Sequence, residues 1–217
     1  MVELISDLDA ATVRRNLERA RDEISAAGRD PDDVQILAAV KYVPLEALGA
    51  LADAGVELVG ENRAQELVAK AEAYPGRFTW DFIGHLQSRK VRQVLPLVRY
   101  VHSVASDSVL EQLGRHGGAR TEIMVEVNVA GEPGKSGVAV AELSDFLERC
   151  PVKVVGLMTM PPLARTPEDS RPHFATLRRL AEQYDLPQLS MGTSQDYLVA
   201  VQEGATIVRL GTSLYAR

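Results

Sequence analysis

The amino-acid sequence predicts an α/β protein, a single (β/α)8 barrel spanning residues 1–217 with one additional helix before the first strand. Eight short runs rich in Val and Ile alternate with longer segments of helical spacing. This alternation favours a parallel sheet covered by helices, because every parallel connection needs a crossover. The length of 217 residues lies near the lower end of the range for such barrels. An open, doubly wound sheet is the alternative, but no glycine-rich dinucleotide-binding turn follows the first run, at residues 40–43.

The order of elements follows from the alternation. The predicted strands are residues 34–41, 56–60, 79–84, 98–104, 122–129, 152–158, 186–191 and 205–210. The clearest predicted helices are residues 61–74, 106–116, 138–150, 167–184 and 194–203. A further helix precedes the first strand, because apolar residues recur at helical spacing from Val13 to Ile24 and Gly28 can end it.

The composition limits the class of protein. With 24 Lys and Arg, 30 Asp and Glu and a net charge of −6, the chain lacks the basic excess of nucleic-acid-binding proteins. No run approaches the roughly 18 apolar residues that span a bilayer, and the acidic N-terminus is unlike a secretory signal. Cys150 is the only cysteine, which excludes an intrachain disulfide and favours a reducing compartment. We therefore expect a cytoplasmic protein that binds neither nucleic acid nor membrane.

Polar residues follow the predicted strands at the end where barrels carry their active sites. The seventh and eighth strands both run into Gly-Thr-Ser, at residues 192–194 and 211–213. Glycine lets a ligand approach the backbone and the hydroxyl groups donate hydrogen bonds, so the matched pair favours a phosphate site at the barrel mouth. The alternative is that these hydroxyl groups only cap the helices that follow.

Lys41 closes the first apolar run, where a lysine is unusual. An ammonium group that is removed from water loses its proton more readily and becomes a nucleophilic amine suited to Schiff-base chemistry. The alternative is a lysine whose charge extends into solvent at the strand end. A phosphorylated aldehyde would need both this amine and a phosphate site, so the two features support each other.

Other motifs are weaker. Gly134-Lys135-Ser136 resembles the end of a nucleotide-binding P-loop, but that motif requires a glycine at the position of Val129. The four histidines show no metal-ligand spacing, so we expect no metal site. Cys150 ends a predicted helix, and this position is more typical of a packing residue than of a nucleophile.

Seven short blocks, spread in order over nearly the whole chain, form a specific combination. They are Ala39-Val40-Lys41 with Pro44, Gly60-Glu61-Asn62 with Gln65-Glu66, Phe82-Ile83-Gly84-His85-Leu86-Gln87 with Lys90, Asn128 with Glu132 and Lys135-Ser136-Gly137, Gly156-Leu157-Met158, Leu189-Ser190-Met191-Gly192, and Val208-Arg209-Leu210-Gly211. Together they resemble the pyridoxal phosphate homeostasis protein family, also called the YggS or proline synthase co-transcribed family.

The resemblance implies a TIM barrel similar to the N-terminal domain of alanine racemase, with pyridoxal 5′-phosphate (PLP) as the cofactor. Lys41 matches the lysine that forms the internal aldimine, and Asn62 lies in the block that faces the cofactor. Arg209 matches the arginine expected near the pyridine nitrogen. The two phosphate-binding segments complete the predicted site with Ser190, Met191, Gly192, Gly211 and Thr212.

Two positions depart from the family pattern. Asp81 stands where His is usual, and Tyr42 stands where Thr is common. Strand alternation directs Asp81 and Phe82 to opposite faces. Neither change removes a proposed ligand of the cofactor, so we expect both to affect only the rim of the site.

The resemblance implies a protein that holds PLP reversibly and buffers or delivers it, with PLP-dependent apo-enzymes as candidate partners. Racemisation needs proton-transfer groups on both faces of the substrate carbon. In the racemases the second group is a tyrosine from a partner subunit that carries a further β-rich domain, and this chain ends at Arg217 without one. We therefore expect a monomer that is not an enzyme.

An arginine beside the pyridine nitrogen agrees with this expectation, since guanidinium donates a hydrogen bond without surrendering its proton and leaves the cofactor a weaker electron sink. The alternative is a PLP-dependent amino-acid racemase. A third interpretation is an unrelated barrel enzyme that acts on a phosphorylated sugar through Lys41.

Overall fold

The structure, a computed structural model, describes residues 5 and 7–216. The strands are β1 Gln35–Ala39, β2 Leu58–Glu61, β3 Thr79–Phe82, β4 Tyr100–Val104, β5 Glu122–Asn128, β6 Val138–Ala139, β7 Lys153–Met158, β8 Gln188–Thr193 and β9 Ile207–Leu210. All except the two-residue β6 form one closed parallel barrel, in which each strand pairs with the next and β9 pairs back with β1. The predicted (β/α)8 barrel is confirmed, and the open sheet is wrong.

Helices cover the outside of the barrel. They are α1 Ala10–Ala26, α2 Leu48–Asp53, α3 Ala64–Ala73, α4 Val91–Val94, α5 Asp107–His116, α6 Leu143–Glu148, α7 Arg171–Gln183, α8 Tyr197–Gln202 and α9 Thr212–Tyr215. One of these helices connects each barrel strand to the next along the chain, which is the crossover that a parallel sheet requires.

The additional N-terminal helix is present as predicted. Asp9 caps α1 by accepting a hydrogen bond from a backbone N–H in its first turn at 2.8 Å, and Gly28 follows its end with a φ of +90°. The buried Asn16 amide donates to the carbonyl oxygens of Leu214 at 3.0 Å and Ala216 at 2.8 Å. Helix α1 therefore fixes the segment after β9, which carries part of the predicted site.

Some predicted boundaries are wrong. Residues 138–150 do not form one helix, because Val138 pairs with Val127 of β5 and α6 begins only at Leu143. The helix predicted over residues 167–184 opens with a 3-10 turn, and its α-helical part begins after that turn.

Two further predicted boundaries, both next to the predicted site, also differ from the structure. The helix predicted from residue 61 starts at Ala64, because Glu61 is the last residue of β2. Strand β1 ends at Ala39, so Lys41 lies in the turn that follows the strand.

The core has two layers. The larger layer packs the outward face of the strands against the helices, and it includes Phe82 and Met191. A small apolar cluster fills part of the barrel interior, consisting of Leu37, Met124, Val155, Met158 and Ile207. Side chains alternate between the two faces of a strand, so every second residue of each barrel strand faces the interior. The interior therefore also contains buried polar residues, among them Asp81, His102 and Arg209.

Candidate functional site

A pocket of about 400 Å³ opens at the carboxyl ends of the strands, where the sequence analysis places the site. Its walls come from segments at or after the ends of β1, β2, β3, β8 and β9. Five of the eight predicted site residues line it, namely Lys41, Asn62, Arg209, Gly211 and Thr212. Two depressions at the amino ends of the strands, of about 560 and 360 Å³, contain none of the predicted residues.

Lys41 lies at the mouth of this pocket with its side chain exposed. The expectation of a desolvated amine is wrong for this structure, because the strand ends two residues earlier and the side chain extends from a turn. The Lys41 Nζ atom lies 5.0 Å from the centre of the Tyr42 ring. Within residues 5 and 7–216 no carboxylate forms an ion pair with Lys41, so its amine is open to a ligand.

A buried ion pair supports the backbone on both sides of the pocket. Lys70 Nζ lies 2.6 Å from Glu61 Oε2, and the two side chains are only 2% and 0% exposed. Lys70 also donates to the carbonyl oxygen of Val40 at 2.8 Å. Glu61 Oε1 accepts hydrogen bonds from the backbone N–H groups of Asn62 at 2.6 Å and Arg63 at 3.2 Å. This pair fixes the backbone next to Lys41 and at Asn62.

Sequence reasoning missed Lys70. A signal for it exists, because Ala64, Leu67 and Lys70 follow one another at intervals of three residues on α3 and are all buried. A lysine on the apolar stripe of a helix needs a buried partner, and the carboxylate of Glu61 ends the preceding strand.

Asn62 carries an unpartnered atom. Its side-chain oxygen Oδ1 is the one buried side-chain polar atom in the described part of the chain that lacks a hydrogen bond. Gly84 packs directly against the Asn62 backbone, since a Cβ at residue 84 would overlap the Asn62 carbonyl oxygen. A buried amide oxygen without a hydrogen bond costs free energy, so a donor from water or from a ligand in the pocket would stabilise it.

The two Gly-Thr-Ser segments meet at the pocket. Ser194 Oγ accepts hydrogen bonds from the backbone N–H of Gly211 at 3.1 Å and of Ser213 at 3.2 Å, which joins the loops after β8 and β9. Asp196 Oδ1 accepts from the backbone N–H of Thr193 at 2.7 Å and from its hydroxyl at 3.1 Å. The Thr193 and Ser194 hydroxyl groups therefore organise the loops, and no such bond engages the Thr212 hydroxyl in the described chain.

Three predicted site residues lie outside the pocket. Met191 is fully buried in the outer core. Gly192 has a φ of +88°, and a Cβ there would lie 2.6 Å from the Cβ of Ala200, so this glycine lets α8 approach β8. Ser190 points into the barrel interior, where its hydroxyl bonds to other side chains. These three residues support the site without lining the pocket, and the assignment of Ser190, Met191 and Gly192 to a phosphate-binding segment stays a prediction.

Arg209 borders the pocket from below with 6% of its surface exposed. Its Nη1 donates to the Ser190 carbonyl oxygen at 2.7 Å and to Ser190 Oγ at 2.6 Å, and its Nη2 donates to the Thr159 carbonyl oxygen at 2.9 Å. Burial lowers the pKa of Arg209 to about 10, so the guanidinium group stays charged at neutral pH. It therefore places a fixed positive charge and donor under the pocket.

The two departures from the family pattern fall in different places. Tyr42 lines the pocket, so its position at the rim is as expected. The same expectation is wrong for Asp81, which is fully buried inside the barrel because its strand position faces inward. Burial alone would raise the pKa of Asp81, but hydrogen bonds from His102 and Arg99 outweigh this and hold it below the usual 3.8.

The remaining motifs have ordinary structural roles. Lys135 pairs with Glu132 at 2.8 Å and Ser136 donates to Glu126 at 2.6 Å, so the P-loop-like residues are engaged within the protein. Burial raises the pKa of the Cys150 thiol to about 11, which keeps it protonated at neutral pH. Among the helices that the structure describes, none has the length and apolar character to cross a membrane.

Comparison with known proteins identifies the class of this barrel. The family model of the alanine racemase N-terminal domain matches residues 8–217, so the fold and the site define a barrel of that class. A relative from Aquifex aeolicus, named pyridoxal phosphate homeostasis protein, is 39% identical in an alignment of length 215 that covers 93% of this chain and 94% of the relative. This chain belongs to the pyridoxal phosphate homeostasis protein family.

Solved structures agree with this assignment. A crystal structure described as an unknown protein from Bifidobacterium adolescentis has a TM-score of 0.84 at 32% identity, covering 99% of this chain and 98% of that one. PipY of Synechococcus elongatus PCC7942, solved with PLP bound, has a TM-score of 0.78 at 32% identity, covering 94% of this chain and 100% of that one.

Proposed function

We propose that this chain binds PLP covalently and reversibly through the Lys41 amine, and that it stores or delivers the cofactor without catalysing a reaction of its own. The observation that carries the proposal is an exposed primary amine at the mouth of a pocket of about 400 Å³ that also borders a buried guanidinium group. The name of the Aquifex relative and the PLP-bound PipY structure support the same ligand.

The residues that line the pocket fit this ligand. When bound, PLP supplies an aldehyde that condenses reversibly with a primary amine. We assign Lys41 to the covalent attachment and Arg209 to a hydrogen bond toward the ring nitrogen. The unpartnered Asn62 amide would bond a polar substituent of the ring, and the loop at Gly211 and Thr212 would hold the phosphate.

The lining of the pocket favours a carrier over a racemase. Among the described residues that line it, none carries a carboxylate, an imidazole or a thiol. Tyr215 is a poor second base, because burial raises its pKa and its hydroxyl already donates to the Ala39 carbonyl oxygen at 3.2 Å. Tyr42 stacks against Lys41 itself. A racemase needs a second proton-transfer group opposite the lysine, and both tyrosines among the described lining residues are already engaged in contacts of their own.

The attachment site can be tested by borohydride reduction of the PLP-loaded protein followed by peptide mass spectrometry. We expect the pyridoxyl label on Lys41, one of five lysines in the chain, and its loss in the variant Lys41→Ala together with the visible absorbance. Lys153→Ala is the matched control, because Lys153 is exposed and pairs with Glu122 at the amino end of its strand. A label on another lysine, or on none, would overturn the assignment.

The absence of catalysis is tested separately by exchange of the α-hydrogen of amino acids in heavy water. A carrier gives no steady exchange above that of free PLP across a broad panel of amino acids. Sustained turnover of one amino acid by the wild-type protein, lost in Lys41→Ala, would favour the racemase.

We also infer that the protein is a cytoplasmic monomer that hands PLP to PLP-dependent apo-enzymes. The exposed Lys41 amine supports delivery to an apo-enzyme, because an acceptor can reach the attachment point without opening the barrel. Sedimentation analysis measures the mass in solution. Transfer is measured as recovery of an apo-aminotransferase mixed with PLP-loaded protein, compared with the same amount of free PLP, and equal recovery rates in the two mixtures would contradict direct delivery.

A further inference from the structure

A continuous series of side-chain hydrogen bonds crosses the barrel interior beneath the pocket. Arg209 Nη1 lies 2.6 Å from Ser190 Oγ, which lies 2.8 Å from His102 Nδ1. His102 Nε2 lies 3.0 Å from Asp81 Oδ2. Arg99 ends the series by donating to both Asp81 oxygens, at 3.1 and 2.6 Å. Ser190, His102 and Asp81 are all 0% exposed, so water does not compete for these bonds.

The chemistry of the groups fixes the direction of the bonds at the two ends of the series and favours one direction for the bond between Ser190 and His102. A guanidinium group only donates, so the Ser190 oxygen accepts from Arg209, and the hydroxyl proton finds its acceptor only if His102 Nδ1 carries no proton. An ionised carboxylate only accepts, so the proton facing Asp81 is on His102 Nε2. His102 is therefore a neutral imidazole in one defined tautomer.

The surrounding charges agree with a neutral His102. Burial lowers its pKa below the ordinary 6.5, and this effect exceeds the opposing attraction of Asp81. The positive charges of Arg209 and Arg99 act in the same direction as burial. A second proton on the ring would also leave the Ser190 hydroxyl proton without its acceptor.

Arg209 depends on this series for its orientation. It forms no ion pair within the described chain, and the carboxylates of Glu126 and Asp196 act on it only at longer range, since each bonds to other residues. The Nη atoms use their hydrogens on Ser190, on the Thr159 carbonyl oxygen and on Met160 Sδ at 2.9 Å, which leaves Nε–H as the guanidinium donor without a protein partner among the described residues. The bond to the Ser190 hydroxyl is the side-chain link between the series and Arg209, and together with the backbone carbonyl oxygens of Ser190 and Thr159 it determines where this free donor points.

We propose that His102 is a positioning residue for the cofactor ring, acting through Ser190 to orient Arg209, and that Asp81 fixes the His102 tautomer this requires. The proposal rests on the proposed function, since it assigns the free Arg209 donor to the ring of PLP. It also gives a role to Asp81, one of the two positions at which this chain departs from its family pattern.

The tautomer can be measured without any cofactor. In protein labelled with 15N-histidine, two-bond 1H–15N NMR spectra separate the two neutral tautomers and the charged ring. We expect one imidazole, assigned by its absence in His102→Gln, to remain neutral and protonated on Nε2 between about pH 6 and 8. A charged His102 or an Nδ1-protonated ring would overturn the proposal.

The consequence for the cofactor is measured with variants at the two ends of the imidazole. Asp81→Asn presents an amide N–H to His102 Nε2 and favours the other tautomer, and Ser190→Ala removes the link to Arg209. We expect each to weaken PLP binding about tenfold and to shift the absorbance of the bound cofactor. Ser190→Thr, which keeps the hydroxyl, should restore wild-type values.

Thr206→Val is the matched control. The Thr206 hydroxyl lies directly before β9 and bonds to Gln188 of β8 at 2.9 Å, so it also links these two elements but lies outside the series. Unchanged PLP binding and absorbance in both variants would overturn the proposal, and so would equal loss in the control. If Lys41 is not labelled in the wild type, the proposed function fails, and the tautomer measurement still decides the arrangement of His102. If the variants do not fold, the same spectrum of the wild type decides it.

Discussion

At the scale of single residues, a buried pair of opposite charges, Lys70 and Glu61, fixes the backbone around the site. Lys70 is 2% exposed and Glu61 is 0% exposed, and each also bonds to backbone atoms next to Lys41 or at Asn62. A buried ion pair adds little net stability, but removal of one partner leaves an uncompensated charge. The pair therefore acts mainly by specifying the backbone at the pocket.

Lys70→Met should lower the free energy of unfolding by about 3–5 kcal/mol, because Glu61 is left buried without its counter-ion. The measurement is urea denaturation followed by circular dichroism. The double variant Glu61→Gln with Lys70→Met carries no buried charge at this point, and it should lose less stability than the single variant. Equal losses in the two variants would contradict this account.

At the scale of elements, the contact between β8 and α8 depends on Gly192. Its φ of +88° is unfavourable for other residues, and a Cβ would lie 2.6 Å from the Cβ of Ala200 and 2.9 Å from the Cα of Tyr197. The helix can approach the strand this closely only at a glycine. This contact sets the path of the loop that carries Thr193 and Ser194 to the pocket.

Gly192→Ala should destabilise the fold by about 2 kcal/mol or more, from backbone strain together with the displacement of α8. Thermal unfolding measures the change. Gly118→Ala is the control, because a Cβ at residue 118 meets no atom within 4 Å. A melting temperature for Gly192→Ala equal to that of the control would show that the loop absorbs the methyl group freely.

The elements also show how far sequence reasoning reaches. The alternation of apolar runs predicted all eight barrel strands, because burial on both faces leaves a continuous apolar signal. Lys41 stands out as a lysine at the end of an apolar run, whereas the role of Arg209 is implied only by the resemblance to the family. Ile83, Met160 and Gln195 also line the pocket, yet no local pattern indicates which cavity a loop residue borders. The bond between Ser190 and His102 joins residues far apart in the chain, so only the closed barrel reveals it.

At the scale of the whole molecule, His102 makes stability depend on pH. Its pKa in the folded protein is lowered from 6.5, mainly by burial, so below about pH 6.5 the unfolded chain binds a proton that the folded chain does not. Stability should therefore fall with decreasing pH in this range, by up to about 1.4 kcal/mol per pH unit. His102→Gln should show a smaller slope in urea titrations at a series of pH values, and Thr206→Val should keep the wild-type slope. An unchanged slope in His102→Gln would contradict this prediction.

The ring of strands closes where β1 meets β9, and these are the first and last barrel strands of the chain. During synthesis on the ribosome, the edge of β1 that pairs with β9 has no partner strand until nearly all of the polypeptide has emerged. Lys41 follows the first of these strands, and Arg209 and Gly211 lie on or after the last. The complete pocket can thus form only after both strands have been synthesised, and a nascent chain that stops before β9 carries Lys41 without Arg209.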